Sequence, residues 1–185
     1  HLYKFNKFMG HIKDNVKTGK VTVSGKQYMR CRWNVSNKHL WNTLNNLGCI
    51  PNKSLVLTFP KVKLFTKKEY VLHFIRGYVD GDGCLSIYKE NNKVRTRISI
   101  LVTESFLISV NKIFGNKGYI RNKGTENYKN KAFELRFSDL SSRRLARYLY
   151  ENATIYLDRK YEKFLEYCRL EEESSRRLSS KIGEG

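Results

Sequence analysis

Acidic residues are scarce in this chain. Its 185 residues carry 17 aspartates and glutamates against 36 lysines and arginines, a formal charge of +19, so a polyanion is the natural partner and nucleic acid the first expectation. The plainer alternative is a basic protein seated on other proteins or on an acidic surface, and charge alone names no reaction. Long apolar runs are missing as well. No stretch of about 18 apolar residues could cross a bilayer as a helix, and no secretory signal precedes the first helical pattern, so the expected location is intracellular, in a bacterial or phage cytoplasm or an organelle. The four cysteines, Cys31, Cys49, Cys84 and Cys168, have neither CxxC spacing nor a histidine pairing, which excludes a zinc site of the usual kind; they are expected to be buried, reduced thiols. What is present suffices for a folded core: 40% hydrophobic and 13% aromatic residues. The sequence opens at His1 already inside a helical pattern, so the true N-terminus is expected upstream.

An internal similarity organises the chain. NKFMG, Asn6 to Gly10, pairs with NKIFG, Asn111 to Gly115, each closing an amphipathic helix on a glycine suited to a C-cap. Further on, YMRCRWNVSNKHLWNTL, Tyr28 to Leu44, parallels AFELRFSDLSSRRLARYL, Ala132 to Leu149, as strand, polar turn and short helix. Order, spacing and residue type agree over about 50 residues, which favours duplication over chance. The second copy is preceded by a helix and a predicted hairpin, Cys84 to Val102, and the first is not, so a helix and hairpin are expected before His1 or from a second chain.

The strands alternate with period two. Met29, Cys31, Trp33 and Val35 form an apolar face behind Tyr28, Arg30, Arg32 and Asn34; Phe133, Leu135 and Phe137 point inward, and Glu134, Arg136 and Ser138 outward. In the hairpin, Leu85, Ile87, Ile98 and Ile100 make the buried face while Ser86, Tyr88, Glu90, Arg95, Arg97 and Ser99 line the other. Arginine pairs bidentately with guanine and a two-stranded ribbon fits the major groove, so this face suits DNA; an ordinary solvated sheet face is the alternative. Leu40, Trp41, Leu44 and Leu47, and Leu145, Tyr148 and Leu149, form apolar helical stripes assigned to the core. Tyr161 to Leu178 reads as a charged helix able to brace the domain, followed by a frayed SSKIGEG.

KKEYVLHFIRGYVDGDG, Lys67 to Gly83, has apolar residues at helical spacing, interrupted by Gly77 and Gly81 on one face. Each glycine costs roughly 1 kcal/mol against alanine, so close approach of a second helix along that face is the expected compensation. At the end of such a pair, Asp82 would meet its counterpart. Two carboxylates brought together repel unless a cation joins them, and magnesium, a hard ion with oxygen ligands, can activate water in phosphodiester hydrolysis. Asp80 is assigned to capping or hydrogen-bonding the helix end. A calcium loop from Asp80 fails at Cys84, Leu85 and Asn91; a phosphate-binding GxGxxG lacks glycine at Ser86 and a preceding strand; and Glu90 stands one residue too far from Lys93 for a Glu-x-Lys nuclease site. DGDG also spells an ordinary helix-to-strand connection.

IRGYVDGDG, Ile75 to Gly83, resembles the signature nonapeptide of the LAGLIDADG homing endonucleases, agreeing at Gly77, Asp80, Asp82 and Gly83 and departing at Arg76 and Tyr78. ATIYLDRKYEKF, Ala153 to Phe164, looks like the end of the second repeat. The resemblance implies an α+β fold of duplicated αββαββα half-domains with antiparallel saddle sheets, the first half lacking its initial helix and hairpin. Residues 1–60 would be the remainder of the N-terminal half, 61–66 a linker, 67–160 the C-terminal half, and 161–185 a helix and tail. It further implies a site-specific double-strand DNA endonuclease mobilising an intron or intein. Mg²⁺ would be held by Asp82 and Gly81, with Mn²⁺ able to substitute and Ca²⁺ able to bind without cleavage. Lys53 and Lys160 are the assisting bases so implied, and Arg30, Arg32, Asn34, Ser86, Tyr88, Arg95, Arg97, Ser99, Arg136 and Ser138 the DNA-binding residues. Only one signature stands in the chain, so a missing N-terminal segment or a second chain would supply the other helix. A non-cleaving RNA maturase or transcription regulator on the same fold is the alternative.

Overall fold

The computed structural model describes residues 1–10, 15–51, 53, 56–124 and 132–182, which form two compact units, residues 1–45 and 46–185. Helix, two strands and helix follow one another in the first: α1 (Leu2–Phe8), β1 (Val16–Val23), β2 (Lys26–Trp33) and α2 (Lys38–Asn46). Ser24 and Gly25, both at positive φ, close the β1–β2 hairpin as the only two residues between paired Val23 and Lys26. Trp33 anchors this hairpin on α1: its Nε1 donates to Asn6 Oδ1 at 2.7 Å and its ring meets Phe5 edge-on. Gly10 takes the left-handed conformation, φ +72°, that the NKFMG reading requires.

The apolar face assigned to β2 is not a core face. Met29 is 70% exposed and Cys31 is exposed, and Trp41 and Leu44 on α2 and Leu47 just after it are exposed too. The physical reason is arithmetic of layers: two strands and two short helices cannot cover one another's apolar sides, and no other described element of this unit lies over them. The cysteine expectation fails for a related reason. Cys31, Cys49 and Cys84 are exposed and Cys168 half-buried, all as free thiols; Cys31 sits on the uncovered strand, and Cys84 pairs with Ser99 on the outer face of the larger sheet.

The second unit is complete enough to bury a core. It contains α3 (Lys68–Asp82), β3 (Cys84–Glu90), β4 (Lys93–Val102), α4 (Glu104–Ile113), β5 (Tyr119–Asn122), β6 (Phe133–Ser138), α5 (Asp139–Tyr150) and α6 (Asp158–Ile182). The four strands form an antiparallel sheet in the order β3-β4-β6-β5. Asn91 and Asn92, with φ of 49° and 58°, make the tight β3–β4 turn, a conformation asparagine tolerates better than most residues. One face of this sheet is apolar: Leu85, Ile98, Ile100, Leu135 and Phe137 are buried against Ile75 and Val79 of α3, Phe106 and Leu107 of α4, Leu145 and Leu149 of α5, and Phe164 of α6. Thr96, also on that face, is satisfied there by Ser142 Oγ at 2.8 Å and the Asp139 carbonyl at 3.2 Å.

The C-terminal helix starts three residues before the sequence reading places it and belongs to the core. Tyr167, 1% exposed, donates from its hydroxyl to the Ser86 carbonyl at 3.0 Å and the Arg97 carbonyl at 2.7 Å, and burial pushes that phenol's pKa upward. Residues 179–182 are helical, against the frayed end expected of them, and the last three, 183–185, lie outside the described residues. The helical stripe on α5 is split, with Leu145 and Leu149 buried and Tyr148 64% exposed. Among the described residues, no helix is long and apolar enough to cross a membrane.

Candidate active site

Sequence dictates the two sides of α3. Val71, Ile75 and Val79, four apart, are buried in the core, while Tyr70, His73, Gly77 and Gly81 line the opposite, exposed side. A methyl group built onto Gly77 or Gly81 meets nothing within 4 Å. No contact among the described residues therefore accounts for these two glycines or offsets their cost. Gly83 is different: a Cβ there would lie 2.7 Å from the Val79 carbonyl oxygen and 2.8 Å from its Cα, so only glycine lets the chain leave the helix and enter β3 at this point. Asp82, the last helical residue, is exposed at that exit, two positions before the first residue of β3.

Behind Asp82 lies a buried polar cluster that holds the helix end. Asp80, 6% exposed, accepts from the Tyr150 hydroxyl at 2.7 Å through Oδ1 and from the Leu157 amide at 3.1 Å through Oδ2. It is thus a structural acid, as the sequence suggests, but it ties α5 and the start of α6 to α3 rather than capping its own helix; the Gly83 amide makes the closing bond to Val79. Burial raises the Asp80 carboxyl above the ordinary aspartate range, against the pull of Tyr150, the Leu157 amide, Lys160 and Arg76. Arg76, the signature's odd residue, is buried as well, donating from Nε to the Ile155 carbonyl at 3.0 Å and from Nη1 to that of Leu149 at 3.2 Å, with His73 Nδ1 at 2.9 Å. Tyr78, the other departure, packs on Phe106, and its phenol is pushed up to about 12 by burial and by the charge of Asp82 one turn on.

Lys160 reaches the same place. Its ammonium, on a residue 3% exposed, donates to the Val79 carbonyl at 2.6 Å and to the Gly83 carbonyl, the two that bracket Asp82. Burial first, then the neighbouring Arg159, lowers its pKa below the ordinary lysine value, against Asp80, Cys84 and Asp82. Lys53, by contrast, is exposed on the connection between α2 and α3.

The donor set at the α3 exit suits a hard cation. Asp82 offers an exposed carboxylate, and Gly81 a last-turn carbonyl that has no donor within the helix, at the end where the helix dipole favours positive charge. Among the described residues no group of three or more His, Cys, Asp or Glu side chains converges on a metal position, so the remaining oxygens would come from phosphate, water or a second acid.

Strand register brings most of the predicted binding residues onto one surface. Ser86 lies opposite Arg97 and Arg97 opposite Ser138; Ser99 lies opposite Arg136, and Arg136 opposite Tyr119; Tyr88 lies opposite Arg95. The arginines are held rather than loose: Arg95 pairs with Asp139 at 2.8 Å, Arg97 bonds the Tyr88 hydroxyl with its guanidinium 4.6 Å from that ring, and Arg136 pairs with Glu134 at 3.1 Å. In the first unit Arg30 and Arg32 are exposed on one face of β2 and Asn34 follows its end; Arg32 stands directly across from Lys17, a like-charged pair with no acid between its strands. Sequence reasoning missed Arg121, Tyr150, Tyr167 and the role of Glu134. Only Arg121 carried a legible signal, the alternation around Ile120 in a strand too short to be noticed.

Glu134 is the buried acid of the larger face, on which Glu90 is exposed. Burial pushes its carboxyl up, but the Arg121 hydrogen bond and the Arg136, Arg121 and Lys123 charges outweigh this and hold it below the usual glutamate range. A depressed carboxyl contributes stability above its unfolded pKa and loses it as pH falls through the folded one. Thermal melts from neutrality to about pH 3 are expected to show a shallower acid-induced fall for Glu134→Gln than for the unaltered protein.

A model of the LAGLIDADG endonuclease family matches residues 75–170, just over half of the chain. No curated protein matches it. Among solved structures, the LAGLIDADG meganuclease I-AabMI bound to uncleaved DNA is 18% identical with a TM-score of 0.46, over 61% of this chain and 41% of that one. The homing endonuclease I-CvuI in complex with its target in the presence of calcium is 20% identical with a TM-score of 0.40, over 52% and 62%. The group I intron-encoded homing endonuclease I-CeuI complexed with DNA is 16% identical with a TM-score of 0.46, over 77% and 79%. The chain thus spans about two-fifths of I-AabMI and three-fifths of I-CvuI, and at these identities and scores the likenesses carry no argument about activity.

Proposed function

The chain belongs to the LAGLIDADG endonuclease family, and from that premise we propose that it serves in a site-specific double-strand DNA homing endonuclease, hydrolysing phosphodiester bonds with a divalent metal. The observation that carries this reading is Asp82: one exposed carboxylate at a helix exit, braced from behind by buried Asp80, Arg76 and Lys160, at the start of the strand that opens the arginine-bearing sheet. A magnesium ion bound by Asp82 and the Gly81 carbonyl would supply an activated water and stabilise the leaving oxygen. Asp82 holds its carboxylate at the edge of the sheet face, where Arg95, Arg97 and Arg136 orient the duplex. Lys160 fixes the carbonyls on either side of Asp82 and so fixes its direction. Ser86, Tyr88, Ser99 and Ser138 fill the same surface with short donors and acceptors.

The second acid comes, in this reading, from another signature helix laid along Gly77 and Gly81, in a preceding segment of the same protein or in a second chain. The bare space over both glycines supports it. So does the helix-strand-strand-helix order of residues 2–46, the order of α4, β5, β6 and α5, together with the uncovered apolar sides of β2 and α2. The duplication proposed from sequence accounts for all three.

The test is incubation of the full-length protein with a plasmid carrying its own flanking genomic sequence, with and without Mg²⁺. Linear product only in the presence of the metal is the expected result. Duplex binding without any linear product would overturn cleavage and favour the non-cleaving maturase or regulator role. Binding itself is expected to be salt-dependent: with six or more phosphates contacted by lysine and arginine, affinity should fall by about a thousandfold between roughly 50 and 200 mM salt. A fall of less than about tenfold in a filter-binding titration would argue against a broad phosphate footprint.

A further inference from the structure

The outer face of the β3-β4-β6-β5 sheet has one acid buried in it. Glu134 is 8% exposed, and a single oxygen, Oε2, takes both the Arg121 Nε and, at 3.1 Å, the Arg136 Nη2. Register puts Arg121 directly across from Glu134 on β5, and Arg136 two residues along β6 on the same side, so the carboxylate lies between the two guanidinium groups. A negative charge there weakens the attraction of the surface for phosphate. What it adds is direction: the guanidinium is planar in any case, and bonding it to a buried carboxylate fixes how that plane and its remaining donors are aimed; Arg136 Nε is itself buried with no partner among the described residues.

We propose that Glu134 is a positioning residue for sequence discrimination: it fixes the plane of Arg136, with Arg121 as the opposing clamp, so that Arg136 reads base edges rather than phosphates. This rests on the DNA-binding reading above. Arginine bound bidentately to a guanine edge discriminates between bases only when its plane is held, whereas a freed arginine behaves as a mobile charge that any phosphate satisfies.

The experiment is selection from a duplex pool with a randomised core, sequencing the bound fraction, beside titration of the unselected pool at several salt concentrations. The unaltered protein should enrich defined bases. Glu134→Gln should lose about fivefold or more of the enrichment at one or two adjacent positions. Its affinity for the unselected pool should rise at low salt, and its slope of log affinity on log salt should steepen by about one to two. Arg136→Lys, which keeps the charge but not the planar fork, should lose enrichment at the same positions with an unchanged salt slope, and undiminished enrichment by it overturns the proposal even should Glu134→Gln not fold. Enrichment by either variant equal to that of the unaltered protein overturns the positioning role and leaves DNA binding standing. Failure of the unaltered protein to bind or enrich any duplex overturns the DNA reading and this proposal with it.

Discussion

Asp82→Asn is expected to abolish magnesium-dependent linearisation of the target plasmid while leaving duplex affinity within about twofold. The carboxylate is exposed and makes none of the hydrogen bonds that hold the helix end, so the substitution removes a metal-binding charge without disturbing the cluster behind it. Losing one preorganised electrostatic group of this kind costs about a hundred- to a thousandfold in rate. Cutting at an undiminished rate would sink the assignment of Asp82, and loss of binding together with cutting would mean that its charge supports the fold or the DNA contact instead. Circular dichroism melts separate these outcomes, since an exposed isosteric change should leave the melting temperature unmoved.

The opposite pattern is expected two residues earlier. Asp80→Ala strips the acceptor from the Tyr150 hydroxyl and the Leu157 amide, and leaves the buried Arg76 and Lys160 cations without the carboxylate that most favours their charge. Each buried donor left unsatisfied costs about 1–3 kcal/mol, so a loss of about 2–5 kcal/mol in urea unfolding is expected. Asp80→Asn, which keeps one acceptor oxygen, should fall between. A loss below about 1 kcal/mol for the alanine variant would mean that water or a shifted side chain satisfies those donors. The two aspartates of DGDG would then be separated by experiment into one that acts and one that holds.

Sequence periodicity sufficed for the second unit because that unit is self-covering. The hairpin of Cys84–Val102 and the inward set Leu135 and Phe137 fall where alternation places them, since four strands and four helices are present to bury one face. Pattern misled in the first unit, where Met29 in a strand alternation and Trp41 in a helical stripe are 70% and 60% exposed. Pattern reports what a residue is suited to bury against and is silent on whether the covering element is at hand. The site divides likewise. The place of Asp82 at a helix exit was legible from the spacing of glycine and acid, but the partners of Asp80 lie 70 and 77 residues away, and no local pattern announces Tyr150 or Leu157. Lys160 shared that fate in part: family resemblance picked it out, and only the fold reveals that its ammonium grips the carbonyls around Asp82.

The Lys17–Arg32 pair has a thermodynamic consequence. Two exposed cations face each other across a two-stranded sheet, so the hairpin of β1 and β2 folds against their repulsion. Added salt screens that repulsion and favours the folded ribbon, while the same salt weakens any grip on a polyanion. Ionic strength therefore acts with opposite signs on the folding of this segment and on any binding of a polyanion to it. Under the DNA reading proposed above, a duplex laid on the ribbon would stabilise its folded form by the free energy of that binding.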